Sequence, residues 1–263
     1  MTASRATNGA MAIWLRSDLA VTTNRWLIAY WHHPPYTKGS HDSDAEGELI
    51  EMRQNIVPIL EAGGVDLVLS GHSHVYERSK FINGHYGFSG SFDSSNVVQT
   101  GSGRETNNVG AYRKPDGLGE KPIGNVGAIY AVAGSSGQVS GGSLDHAAMF
   151  FSTNRLGSMV LDFTSNRLDA IFLDDTGGQE DWFTLIKDGT YPPVLTNPVS
   201  LTNGGFQFTL LTRAYRTNII EAATNLPPTW TALATNFSTT ATFMFTNTNA
   251  TADELRLYRV KRP

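Results

Sequence analysis

The hydrophobic positions of the first third of the chain follow three patterns. Met11, Trp14, Leu15 and Leu19, with Arg16 and Asp18 between them, recur at spacings of three and four, which predicts an amphipathic helix from Ala10. Trp26 to Trp31 is an unbroken apolar run, the pattern of a strand covered on both faces of a sheet. Residues 45–62 set Leu49, Ile50, Met52, Ile56, Val57, Ile59 and Leu60 among charges, predicting a second helix that Pro58 bends or restarts and Gly63-Gly64 ends. Val65 to Leu69 then reads as another buried strand. Strand, helix, strand is an α/β unit, and its crossover is expected to be right-handed.

Periodicity then fades. Residues 83–127 are dense in Gly, Ser and Asn, too long for an ordinary connection, and are expected to form a functional or partly ordered loop region. A strand resumes at Ala128 to Ala133, and the apolar runs 159–163 and 167–173 flank Thr164-Ser165-Asn166 as a hairpin would. Asp181 to Ile186 supplies one more strand before Tyr191-Pro192-Pro193 and Asn197-Pro198, the stiff punctuation of a boundary placed near Gly189. Beyond it the composition changes. Residues 222–252 hold no Asp, Glu, Lys or Arg and ten threonines, and short β-rich runs at 206–210, 218–222, 230–234, 240–245 and 255–260 predict a small β-sandwich. The expected organisation is an α/β domain over 1–189 and an all-β sandwich of immunoglobulin or fibronectin type over 190–263.

Composition narrows the function. With 20 basic and 24 acidic residues the net charge is −4, so the basic excess that nucleic acid or an acidic membrane surface attracts is missing, and neither partner is expected. There is no cysteine, which removes disulfides, thiolate ligands and a cysteine nucleophile together. The apolar runs are far shorter than the roughly 20 residues of a membrane-spanning helix, and residues 1–9 lack the pattern of a secretory signal.

The chemistry gathers at two strand ends. Trp31-His32-His33-Pro34-Pro35-Tyr36 follows the first strand, and Ser70-Gly71-His72-Ser73-His74-Val75-Tyr76-Glu77-Arg78 follows the second. Ligand sites in α/β sheets lie beyond strand carboxyl ends. In an extended segment, residues two apart face one side, so His72 and His74 can address one metal or two adjacent ones. Any one of these histidines alone would more often be a packed core or surface residue. His85 and His146 are read as structural.

His32 with Pro34 and Tyr36, then Gly71-His72-Ser73-His74 with Tyr76-Glu77-Arg78, resembles the second half of a calcineurin-like metallophosphoesterase, nearest its purple acid phosphatase branch. The resemblance runs from about Gly9 to Lys187. It implies a partial metallophosphoesterase sandwich of α/β (α+β) class, with His32 and His72 on one metal and His74 on another. His41, in a loop rich in Ser and Asp, resembles the residue that faces the substrate or protonates the leaving group, while His33, Tyr36, Tyr76 and Arg78 would line or support the site. The implied cofactors are divalent or trivalent ions, a dinuclear iron, zinc or manganese pair in the intact family. The implied reaction is attack of a metal-bound hydroxide on a small phosphate ester.

The family's first half also supplies an Asp-x-His element, a metal-bridging Asp and a Gly-Asn-His element, and the sequence contains none of them. The expectation is therefore a truncated form of a longer enzyme, holding one metal through His32, His72 and His74 or lacking a complete site. Self-association through the uncovered sheet near Trp26 to Trp31 is expected with it. The alternative reading is a non-catalytic extracellular scaffold with a degenerate half site. The hydroxyl-rich end segment resembles modules of secreted bacterial proteins, so a secreted, periplasmic or surface setting is expected for the parent.

Overall fold

A computed structural model describes residues 5–106, 109–116, 122, 124–187, 193–212, 216–238, 240, 242–248, 250 and 255–261. The chain divides into two compact units, Met1–Asp188 and Gly189–Pro263. Gly189, Tyr191 and Pro192, where the sequence places the boundary, lie outside the described residues.

In the larger unit, α1 spans Ala10–Val21 and leads into β1 (Ile28–Trp31). The next helical stretch is α2 (Gly47–Glu51), a π-helical turn over Met52–Ile56 and α3 (Val57–Gly63), so the interruption falls just before Pro58, which sits in the first turn of α3 where its missing N–H costs nothing. Gly64 closes α3 at φ +80°, a left-handed cap that a side chain would disfavour. The chain continues through β2 (Leu67–Ser70), β3 (Tyr76–Ser79), β4 (Phe81–Ile82), β5 (Val97–Gln99), β6 (Tyr112–Lys114), β7 (Ile129–Ala133), β8 (Met149–Thr153), β9 (Gly157–Thr164), β10 (Arg167–Asp174) and β11 (Gln179–Lys187).

Five strands form one sheet in the order β1-β2-β7-β3-β8, parallel for β1, β2 and β7 and antiparallel at β3 and β8. A second sheet runs β6-β11-β10-β9, with β9 and β10 joined as a hairpin through Ser165-Asn166. Alternation along β2 and β7 builds two cores. Val68 and Tyr130 pack with the helices around Ile56, Val57 and Leu60, while Leu67, Ile129 and Ala131 pack against Leu168, Ala170, Phe183 and Leu185 of the second sheet. Helices and two mixed sheets are thus three layers, a mixed α/β arrangement.

Two expectations need correcting. The run Trp26–Trp31 suggests a strand covered on both faces, but β1 is the edge of its sheet and Tyr30 is 82% exposed. The apolar face read for α1 also divides: Leu19 is buried, whereas Met11 and Trp14 stay exposed and line a groove of about 570 Å3 with Trp26, Tyr30 and Trp31. Ile28 packs on one core and Ala29 and Trp31 on the other, but among the described residues no strand pairs with the outer edge of β1.

The smaller unit carries β12 (Val194–Ser200), β13 (Phe206–Leu211), β14 (Arg216–Ala223), β15 (Thr231–Ser238), β16 (Thr242–Asn247) and β17 (Leu257–Lys261). They form two antiparallel three-stranded sheets, β12-β13-β16 and β15-β14-β17. Tyr258 of one sheet stacks on Phe206 of the other at 5.1 Å and packs edge-on to Phe208. Asn197-Pro198, read from sequence as a break, is a bulge inside β12 where pairing with β13 skips, which is where a residue without an N–H fits a ladder.

Candidate metal and phosphate site

β1 and β2 pair in parallel with Trp31 beside Ser70, so the residues that follow leave the sheet side by side. Gly71 N–H donates to His32 O at 3.1 Å, and the Trp31 indole N–H donates to His33 O at 2.6 Å, fixing the first loop over the strand end. His72 then adopts φ +62°, an uncommon conformation for a residue with a side chain. It brings His72 Nδ1 to 2.9 Å from His32 Nε2, with the His33 ring 4.8 Å from that of His72. Donor atoms of His32, His33 and His72 all lie within 4.8 Å of one another.

A second loop closes over them. Arg53, fully buried, donates to Pro35 O and Ser43 O, and Tyr36 donates its hydroxyl hydrogen to His85 O, so both ends of the 35–43 segment are anchored. Thr37 Oγ1 donates to the buried Glu77 and sits 3.0 Å from Ser73 Oγ. Gly39 lies so close to Ser73 and Val75 that a Cβ would collide with both side chains. This packing sets His41 face to face with His72, ring centroids 3.7 Å apart. His41 Nδ1 is 2.9 Å from both carboxylate oxygens of Glu46, and Glu46 also accepts the Asp42 N–H and stands 3.5 Å from His72 Nε2. His41, Glu46 and His72 form a second group whose donor atoms lie within 4.8 Å.

Charge follows this crowding. Burial, then repulsion among the neighbouring imidazoles, lowers the pKa of His33 and of His72. Burial opposes ionisation of Glu46, yet the hydrogen bonds from His41 and Asp42 overcome it and hold its carboxyl below the usual range. Neutral imidazoles are the form in which histidine binds metal.

The other sequence candidates lie apart from this cluster. His74 has its Nδ1 3.1 Å from Ser140 Oγ and its N–H bonded to Ser40 Oγ, and it belongs to neither donor group. Tyr36 is fully buried beneath the loop, stacked on His85. Tyr76 and Arg78 are buried in β3, where both donate to Asp181 and Arg78 also reaches Ser102 O. His85 and His146 are buried as well. Glu46 and Asp181 carry no motif signal in the sequence, and Glu77 enters only as the middle of Tyr76-Glu77-Arg78. A carboxylate five positions after a loop histidine was the available sign of Glu46, obscured because it borders a charged helix.

Each of the two groups, His32 with His33 and His72, and His41 with Glu46 and His72, brings its donor atoms close enough to hold an ion.

Residues 2–76 match the calcineurin-like phosphoesterase family. Purple acid phosphatase 18 of Arabidopsis thaliana is 34% identical over 105 residues, 38% of this chain and 22% of that protein. Purple acid phosphatase 15 of the same plant is 39% identical over 73 residues, 26% of this chain and 13% of that protein. The chain thus spans at most about a fifth of the length of these relatives. A purple acid phosphatase, PPD1, from yellow lupin (Lupinus luteus) seeds superposes over 70% of this chain and 29% of its own with a TM-score of 0.52 at 17% identity, a likeness of fold.

Proposed function

We propose that this chain carries part of the catalytic centre of a metal-dependent phosphoesterase of purple acid phosphatase type. The observation that carries the reading is the convergence of His32, His33 and His72 beyond the carboxyl ends of two adjacent parallel strands, with His41 stacked on His72. A divalent or trivalent ion seated there would supply Lewis-acid activation of water and offset charge on the phosphoryl oxygens. His32 Nε2 and His72 Nδ1 would hold it, with His33 as the third donor. His41 keeps Nδ1 on Glu46, which leaves Nε2 to carry the proton for the leaving oxygen of a small phosphate ester. His74 engages Ser140 through Nδ1, so Nε2 is the nitrogen it would offer as a ligand. Tyr36, Tyr76 and Arg78 act by bracing the loops.

The test is metal content per chain by elemental analysis after loading with zinc, manganese or iron, beside hydrolysis of p-nitrophenyl phosphate. One ion per chain, lost in His72→Ala, is expected; no retained ion in the wild type would sink the assignment.

Two finer readings accompany this one. The two facing sheets support an immunoglobulin- or fibronectin-like sandwich for residues 190–263, and their uncharged, threonine-rich middle supports a setting outside the cytoplasm. Recovery from the cytosolic fraction of the host would overturn the second. The exposed edge at Tyr30 and Trp14 supports self-association through β1, and a mass independent of concentration in sedimentation would refute it.

A further inference from the structure

Glu46 touches two of the site histidines at once. The ring nitrogens of His72 point in divergent directions. Nδ1 is turned to His32 Nε2 at 2.9 Å, and Nε2 is turned to the Glu46 carboxylate at 3.5 Å. An ion bound at Nδ1 would leave Nε2 to hydrogen-bond the Glu46 carboxylate. The same carboxylate takes His41 Nδ1 at 2.9 Å on each oxygen and is itself aimed by the Asp42 N–H at 3.0 Å. It is the residue that immediately precedes α2, so its backbone is fixed by the helix start.

We propose that Glu46 is a positioning residue that orients His72 for metal and His41 for the leaving group through one shared carboxylate. An acceptor at Nε2 keeps the His72 proton there and leaves the Nδ1 lone pair for the ion. Carboxylates set behind metal-bound histidines fix tautomer and ring angle in this manner, and their loss costs about 10- to 100-fold in metal affinity. The face-to-face contact of His41 with His72 makes the arrangement cooperative, because either ring turning away removes the other's support.

The inference rests on the metal-binding reading above, and the experiment separates the two. Zinc affinity is measured on the full chain by competition with a chromogenic chelator for wild type, Glu46→Gln, Glu48→Gln and His32→Ala. The His72 tautomer is read from long-range 15N–1H correlations of its imidazole. Glu48→Gln controls for charge, since Glu48 begins the same helix but pairs at 3.5 Å with Arg5. The expected result is zinc binding about 10- to 100-fold weaker in Glu46→Gln, with His72 losing its Nε2–H tautomer, and binding within twofold of wild type in Glu48→Gln. Wild-type binding abolished by His32→Ala but unchanged in Glu46→Gln would overturn the inference and leave the function standing. Weakened binding with the His72 tautomer unaltered would overturn it as well. Absence of zinc binding in the wild type, or binding indifferent to His32→Ala, would overturn the metal reading itself.

Discussion

Replacing Glu77 with Gln should stabilise the larger unit, and only at neutral to alkaline pH. Glu77 is fully buried in β3, with one carboxylate oxygen accepting from Thr37 Oγ1 and the other from Lys38 N–H at 3.2 Å. Burial outweighs these two bonds and pushes its pKa from 4.5 to about 7. Between those values the folded chain holds a proton that the unfolded chain releases. Stability therefore falls as pH rises through that window, and the loss is complete above it. At about 1.4 kcal/mol per pKa unit the gap amounts to roughly 3 kcal/mol. A Gln side chain has no charge to desolvate, and its amide can donate to Thr37 and accept from Lys38. Glu77→Gln should match wild type within about 0.5 kcal/mol at pH 5 and exceed it by roughly 3 kcal/mol at pH 8, or roughly 6 to 12 °C in Tm. Urea titrations followed by tryptophan emission read the right transition, because Trp14, Trp26, Trp31 and Trp182 all lie in the larger unit. A difference between the two proteins that is the same at both pH values, or a less stable variant at pH 8, would refute the reasoning.

Asp181→Ala should cost about 3 to 5 kcal/mol, because Arg78, fully buried, would keep its charge without the carboxylate that Tyr76 and Arg104 also use; a loss below about 1 kcal/mol in urea unfolding would show that Arg78 finds water. Burial lowers the His146 pKa from 6.5 to about 4, so acidification through that interval protonates the unfolded chain first and should remove roughly 3 kcal/mol. His146→Gln, which keeps an acceptor for the Ala148 N–H, should flatten that slope, and parallel slopes would contradict the assignment. Tyr30→Lys should abolish association through β1 in sedimentation velocity, since a charge on an exposed strand edge opposes pairing; an unchanged oligomer would place the contact elsewhere.

Local pattern carried much of this fold because most of its elements are set by their own periodicity. The break before α3 and its Gly64 cap are written in Pro58 and Gly63-Gly64, and the β9–β10 hairpin in its short polar turn between alternating runs. What local pattern does not encode is the neighbour. Trp26–Trp31 is apolar enough for a central strand, yet its place at the edge depends on which strands lie beside it. Likewise Met11 and Trp14 fit a helical stripe, but a stripe is buried only where another surface meets it. Glu77 and Asp181 become visible only once β3 lies under the 37–41 loop and beside the 181 strand, contacts between residues 40 and 105 positions apart.

The site shows the same division at finer scale. Reading His72 and His74 as facing one side assumes an extended backbone, and His72 at φ +62° breaks that assumption. Ser73 N–H returns to Gly71 O at 2.7 Å and Val75 N–H to Ser73 O at 2.8 Å, so the segment folds back on itself twice between the strands. A left-handed residue with a side chain costs on the order of 1 kcal/mol or more and persists where its surroundings over-determine it. Here they do. Gly71 is tied to His32, Ser73 Oγ to Thr37, and the His74 N–H to Ser40. Those ties send His72 toward His32 and Glu46 while His74 goes to Ser140, which is why four imidazoles from the two connections after β1 and β2 gather together and the next histidine after His72 is not among them. Which histidines share a position beside His72 is thus decided by one backbone torsion and the hydroxyls that hold it, more than by their spacing in the motif.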